Sequence, residues 1–85
     1  MSKYTVVLLK SARKQLDKLP DNIVTPLLAA ILTLEGDPRP MGYKKLKDRE
    51  GYRIRVHNYR IIYTIQDKIL LVAVITIGHR RDVYG

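Results

Sequence analysis

The sequence has no cysteine, tryptophan or phenylalanine, and its 85 residues hold two histidines and eight carboxylates. Without cysteine there is no disulfide framework, no thiolate metal ligand and no thiol nucleophile. Two histidines without a carboxylate-rich cluster give no basis for a zinc site, so neither metal nor cofactor is expected. The N-terminus lacks the apolar core of a signal peptide. The longest apolar run, residues 69–77, is strand-sized and too short to span a bilayer. These absences read as a cytoplasmic protein with no membrane partner. Repeats, low-complexity tracts and linkers are also missing, and 85 residues leave room for one core, so residues 1–85 are expected to form a single domain.

Positive charge is abundant. Sixteen Lys and Arg side chains against eight Asp and Glu give a net charge of +8. Residues 1–40 carry six basic and four acidic side chains; residues 41–85 carry ten and four. The excess therefore lies in the second half, and it points to a polyanion: nucleic acid, an anionic surface or an acidic protein.

The pattern along the chain alternates helix and strand signals. Residues 4–9 (YTVVLL) read as a strand. Ser11 is expected to cap a helix over 12–19, where Ala12, Leu16 and Leu19 share a face and Pro20 ends the run. Asp21 or Asn22 is expected to cap a second helix reaching about residue 35. Its stripe is Ile23, Leu27, Ile31 and Leu34, and Pro26 either sits near its start or kinks it. Three strands follow: residues 44–47 leading into 52–56, then 59–65, then 69–77. His57-Asn58 and Asp67-Lys68 are the turns between them, with Asn58 the residue suited to positive φ. The order β-α-α-β-β-β implies an α+β fold, two helices on one face of a mainly antiparallel sheet.

Register fixes what each sheet face carries. A two-residue turn at His57-Asn58 sets Arg55 opposite Arg60, Ile54 opposite Ile61, Arg53 opposite Ile62 and Tyr52 opposite Tyr63. The apolar partners then face the helices, and Arg53, Arg55 and Arg60 share the other face. Like charges set opposite each other on a sheet cost a fraction of about 1 kcal/mol, so folding alone gives no reason to cluster them. Phosphate binding does, and arginine suits it through its bidentate fork. The plainer alternative is a solvated face of solubilising arginines. Continued parity would put Ile75 and Ile77 on the arginine face and let the tail 78–84 (GHRRDVY) return toward it.

Taken in order, these segments resemble the RelE/ParE superfamily of toxins, and most closely its RelE-type messenger-RNA endonucleases. The resemblance rests on Ala12-x-x-x-Leu16-x-x-Leu19-Pro20, Asp37-Pro38-Arg39-Pro40, Lys45-Leu46-Lys47, the strands around Arg53-Ile54-Arg55 and Tyr59-Arg60-Ile61-Ile62-Tyr63, and the closing Gly78-His79-Arg80-Arg81-Asp82-Val83-Tyr84. It implies a microbial-RNase-like (RelE-like) fold and the toxin component of a type II toxin–antitoxin system. The implied activity is metal-independent cleavage of messenger RNA in the A site of the 70S ribosome. The implied partners are a RelB-like antitoxin and the ribosome with its messenger and ribosomal RNA.

By position, Arg60 and Arg80 match the family's catalytic arginines and Tyr84 its C-terminal tyrosine. Arg53 and Arg55 stand where well-characterised members often have lysine, and a guanidinium cannot act as a base. The expected chemistry is attack of the 2′-OH on its own phosphate, leaving a 2′,3′-cyclic phosphate and a 5′-OH. Arg60 would neutralise the phosphate with help from Arg80, Arg53 and Arg55 would hold the backbone, and Tyr84 or His79 would take the proton. Lys44, Lys45, Lys47, Arg49 and Arg81 would bind RNA. Lys10, Arg13, Lys14 and Lys18 read more simply as a solvated helix face. Two alternatives stay open: a ParE-like inhibitor of DNA gyrase, and a non-catalytic relative that binds RNA or antitoxin through the same basic face.

Overall fold

The computed structural model describes residues 3–79. Its elements are β1 (Thr5–Leu8), α1 (Lys10–Asp17), α2 (Asp21–Thr33), β2 (Lys44–Lys45), β3 (Tyr52–Val56), β4 (Tyr59–Gln66), a single 3-10 turn (Asp67–Ile69) and β5 (Leu71–His79). They form one five-stranded sheet in the order β1-β5-β4-β3-β2. β1 lies parallel to β5, and every other neighbouring pair is antiparallel. Both helices cover one face, giving the α+β architecture that the sequence implies. No helix among the described residues is long and apolar enough to cross a membrane.

The core is where the helix stripes meet the apolar parity of the strands. Ala12 and Leu16 of α1, and Leu27 and Ile31 of α2 with Leu34 beyond its end, pack on Ile54, Ile61, Tyr63, Val72, Val74 and Ile77. α1 starts at Lys10, one residue before Ser11, and Leu9 occupies the cap position without a side-chain bond. The expected Ser11 cap is therefore absent; packing of Ala12 and Leu16 carries this short helix. In α2, Pro20 holds the cap position, and its carbonyl accepts the Val24 amide at 3.0 Å. Pro26 is inside the helix, beyond the first turn, where it withholds one backbone donor.

The β3–β4 register is the expected one, residue for residue, from Val56 opposite Tyr59 to Tyr52 opposite Tyr63. Positive φ at its turn falls on His57 (55°) rather than Asn58. Two further expectations are corrected. Residues 44–45 form a separate edge strand paired with Tyr52 and Arg53, not a run leading into β3. Between β4 and β5 the register shifts at Ile62/Tyr63: Ile62 pairs with Thr76 and Tyr63 with Val74, which leaves Ile75 as an extra residue. That bulge reverses the later parity, so Ile77 faces the helices at 1% exposure instead of joining the arginines. Gln15 of α1 accepts the Ile77 amide (2.6 Å) and the Thr76 hydroxyl (2.9 Å) through its Oε1, occupying polar groups beside the bulge.

The connector between α2 and β2 is tied to the sheet by polar contacts. The Tyr63 hydroxyl donates to the Pro38 carbonyl at 2.7 Å. Burial pushes its ionisation up to about 12. Arg39 donates both guanidinium nitrogens to Asp67 (2.9 and 3.2 Å), and its plane lies 5.5 Å from the Tyr52 ring centre. Tyr4 also donates to Asp67, at 2.6 Å. The Arg39 and Tyr4 bonds together hold the Asp67 carboxyl down at about 2.

Candidate nucleic-acid interface

The face of the sheet opposite the helices carries the charge. Strand alternation puts Arg53 and Arg55 of β3 on it, and the two-residue turn brings Arg60 of β4 directly across from Arg55. On its other side Arg60 is paired with Gly78 of β5, which places no side chain beside it. Arg60 is 7% exposed, deep for a charged residue; Arg53 is half-buried and Arg55 is exposed. Ile62, buried at 3%, supplies an apolar floor.

The edge strand and the loop after it form the wall. Lys44 pairs with Arg53 and Lys45 with Tyr52, so β2 continues the cationic surface. The loop of residues 46–51 folds back on itself, with the Leu46 amide donating to the Gly51 carbonyl at 2.9 Å. Gly51 makes this closure possible. Its φ is +143°, and a Cβ there would meet the Tyr63 carbonyl oxygen and Leu46 Cδ1, each at 3.3 Å. Pinned in this way, the loop brings Lys47, Asp48 and Arg49 to the same opening as the strand arginines.

The result is a cleft of about 430 Å³. Among the described residues seven cations line it: Arg53, Arg55 and Arg60 from the strands, Lys44 and Lys45 from β2, and Lys47 and Arg49 from the loop. The three-arginine face and the lysine-rich segment, separate in the sequence, are one site in the structure. These groups are suited to phosphate: guanidinium forks can make bidentate contacts and ammonium groups salt-sensitive ones, over the apolar floor of Ile62.

Not every residue expected at the site is there. His79 closes β5 opposite Tyr59, with the two rings edge to face at 5.5 Å, and it does not line the cleft. Tyr59 belongs to the helix-side face. Arg80, Arg81 and Tyr84 lie outside the described residues. Lys10, Lys14 and Lys18 share a separate shallow groove along α1. Asp48, which strand register alone does not place, joins the cleft from the loop. A usable signal for it was its position between Lys47 and Arg49, two residues expected to bind RNA.

Both the sequence and the fold are similar to those of known proteins. Residues 6–84 match the family described as the ParE toxin of the type II toxin–antitoxin system parDE. The sequence is 31% identical over 83 residues to toxin RelG of Mycobacterium tuberculosis, covering 95% of each chain. The fold is similar to that in the toxin–antitoxin complex RelBE2 of the same organism, with a TM-score of 0.80 and 30% identity over 92% of this chain and 99% of that one. It is also similar to the archaeal RelE–RelB complex of Pyrococcus horikoshii, with a TM-score of 0.81 and 28% identity over 91% and 94% of the two chains.

Proposed function

The chain belongs to the RelE/ParE superfamily of type II toxin–antitoxin toxins, and from that premise we propose that it is a ribosome-dependent endoribonuclease that cuts messenger RNA in the A site. The observation that carries this reading is the seven-cation cleft lined by the buried Arg60. A protein needing only solubility gains nothing from burying an arginine opposite another one. A phosphorane, which carries more negative charge than the phosphate it forms from, is stabilised by such an arrangement.

In this reading Arg60 binds the scissile phosphate, and Arg53 and Arg55 grip the backbone beside it. Lys44, Lys45, Lys47 and Arg49 hold the flanking RNA. Arg80 and Tyr84 are assigned from the family resemblance, Arg80 to charge stabilisation and Tyr84 to proton transfer. His79, turned toward Tyr59, is left without a catalytic part. The reaction as proposed uses no metal. The proposed partner in the resting cell is a RelB-like antitoxin, as in the complexes whose toxin fold this chain shares.

The test is to add the purified protein to ribosomes translating a defined message and map the cut ends. Cuts at A-site codons bearing 2′,3′-cyclic phosphate ends support the proposal. A second reading, gyrase inhibition, is favoured by the ParE description of the matching family. Uncut message together with blocked DNA supercoiling would establish that reading instead.

A further inference from the structure

Cleavage of RNA by its own 2′-OH needs a proton acceptor, and the cleft's cations are poor at that task. A guanidinium keeps its proton in proteins, and an ammonium in water keeps its own at neutral pH. The described residues lining the cleft include one group of the other kind, the carboxylate of Asp48. We infer that Asp48, in place of the Tyr84 assigned from the family resemblance, is the general base of the cleft, taking the 2′-OH proton of the RNA held by the arginines. This inference rests on the nuclease reading given above and deepens it.

Three observations carry it. First, a carboxylate in a wall built for a polyanion works against binding, since it repels the phosphates that seven neighbours attract. A residue that costs affinity in the cleft has a different use there. Second, Asp48 sits in a loop that is closed on itself. The closure is the Leu46–Gly51 hydrogen bond, and Gly51, at a φ of +143°, sits closely against the Tyr63 carbonyl of β4. Third, its oxygens are uncommitted. Among the described residues none donates a hydrogen bond to the Asp48 carboxylate or forms an ion pair with it; the Arg39–Asp67 pair lies on a different part of the molecule.

The step is balanced without a co-reactant. The 2′-O–H bond breaks and its proton passes to an Asp48 oxygen as the 2′ oxygen bonds to phosphorus. The bond from phosphorus to the 5′ oxygen breaks, and that oxygen leaves with the electron pair and takes a proton from water. Asp48 then returns its proton to water. The products together have the composition of the RNA: a 2′,3′-cyclic phosphate and a 5′-OH.

The test separates catalysis from charge because the two predict opposite signs. Asp48→Asn removes a negative charge from the cleft, so binding to RNA-loaded ribosomes should stay level or tighten. Single-turnover cleavage should fall by about 10²- to 10⁴-fold, the range for loss of a positioned base. Asp48→Glu should recover much of the rate. The thermal midpoints of both variants, measured alongside, should match the wild type, because Asp48 is exposed. Cleavage by Asp48→Asn at or above the wild-type rate overturns the inference. So does an unchanged rate at altered codons, which would make Asp48 a reader of base edges. A wild type that binds ribosomes and cuts nothing overturns the nuclease reading and this inference together.

Discussion

Arg60 and Asp67 are charged residues on the same strand–turn segment with opposite uses. Arg60 is 7% exposed and lines the cationic cleft, and Asp67 is held by Arg39 and Tyr4. The Asp67 cluster holds connector, sheet and N-terminal strand together, and its pH dependence follows from its shift. Its carboxyl is lowered from an ordinary 3.8 to about 2 in the fold. Its contribution to stability is therefore full above the ordinary value and is lost as pH falls toward 2. The side chain is half exposed, so the effect should shrink with salt. Asp67→Asn should lower the urea midpoint at pH 6, and its deficit against wild type should shrink as pH falls through about 2; a deficit constant across that range contradicts the assignment. Tyr63 behaves in the opposite sense. Its hydroxyl is pushed up to about 12 by burial, so its contribution holds below about pH 10 and is lost as pH rises through 12. Tyr63→Phe leaves the Pro38 carbonyl without its donor and should cost about 1 kcal/mol in urea unfolding at neutral pH.

The β3–β4 hairpin and its flanking loop show how far sequence determines an element. The hairpin was legible to the residue, because a two-residue turn between alternating segments permits one register that puts Ile54 and Ile61 inside. The same reasoning failed one strand later. The bulge at Ile62/Tyr63 adds Ile75 to β5, and strand parity alone gives no sign of where an extra residue enters. Its polar cost is met by Gln15, sixty-two residues away from Ile77, a contact that no local pattern encodes. The separate β2 strand was missed because two residues, Lys44 and Lys45, are too few to alternate. The loop of residues 46–51 depends on Gly51, whose φ of +143° a side chain rarely adopts. Gly51→Ala should lower stability by about 1–3 kcal/mol and slow cleavage by displacing the loop; thermal melting and a cleavage assay check both. In α2, Pro26 withholds a backbone bond beyond the first turn. Pro26→Ala should raise the melting temperature, by up to about 3 kcal/mol of stability if the helix closes its missing bond.

Among the described residues, positive charge is concentrated on one sheet face, with a smaller lysine groove along α1. The helices and one face make the core, and the opposite face collects seven of the chain's sixteen basic residues into one cleft. The sequence revealed that the excess lay in its second half, and the strand register revealed which arginines share a face. That Lys44, Lys45, Lys47 and Arg49 complete the same cleft was not legible, because it depends on how an irregular loop folds back on β4. Affinity for RNA should fall steeply with salt. Each phosphate-binding lysine removed should reduce the log–log slope by about 0.7, the single-strand value; a titration of Lys44→Ala and Lys45→Ala across salt concentrations measures it. The central claim is that this cleft cuts RNA, and the most direct test is primer extension on a message in a purified translation system with the wild type beside Arg60→Ala and Arg60→Lys. Far-ultraviolet dichroism and a ribosome-binding assay on each protein establish that fold and binding persist. A-site cuts are expected from the wild type, none from Arg60→Ala and weak ones from Arg60→Lys, with all three proteins folded. Cutting by a folded Arg60→Ala at the wild-type rate would contradict the claim.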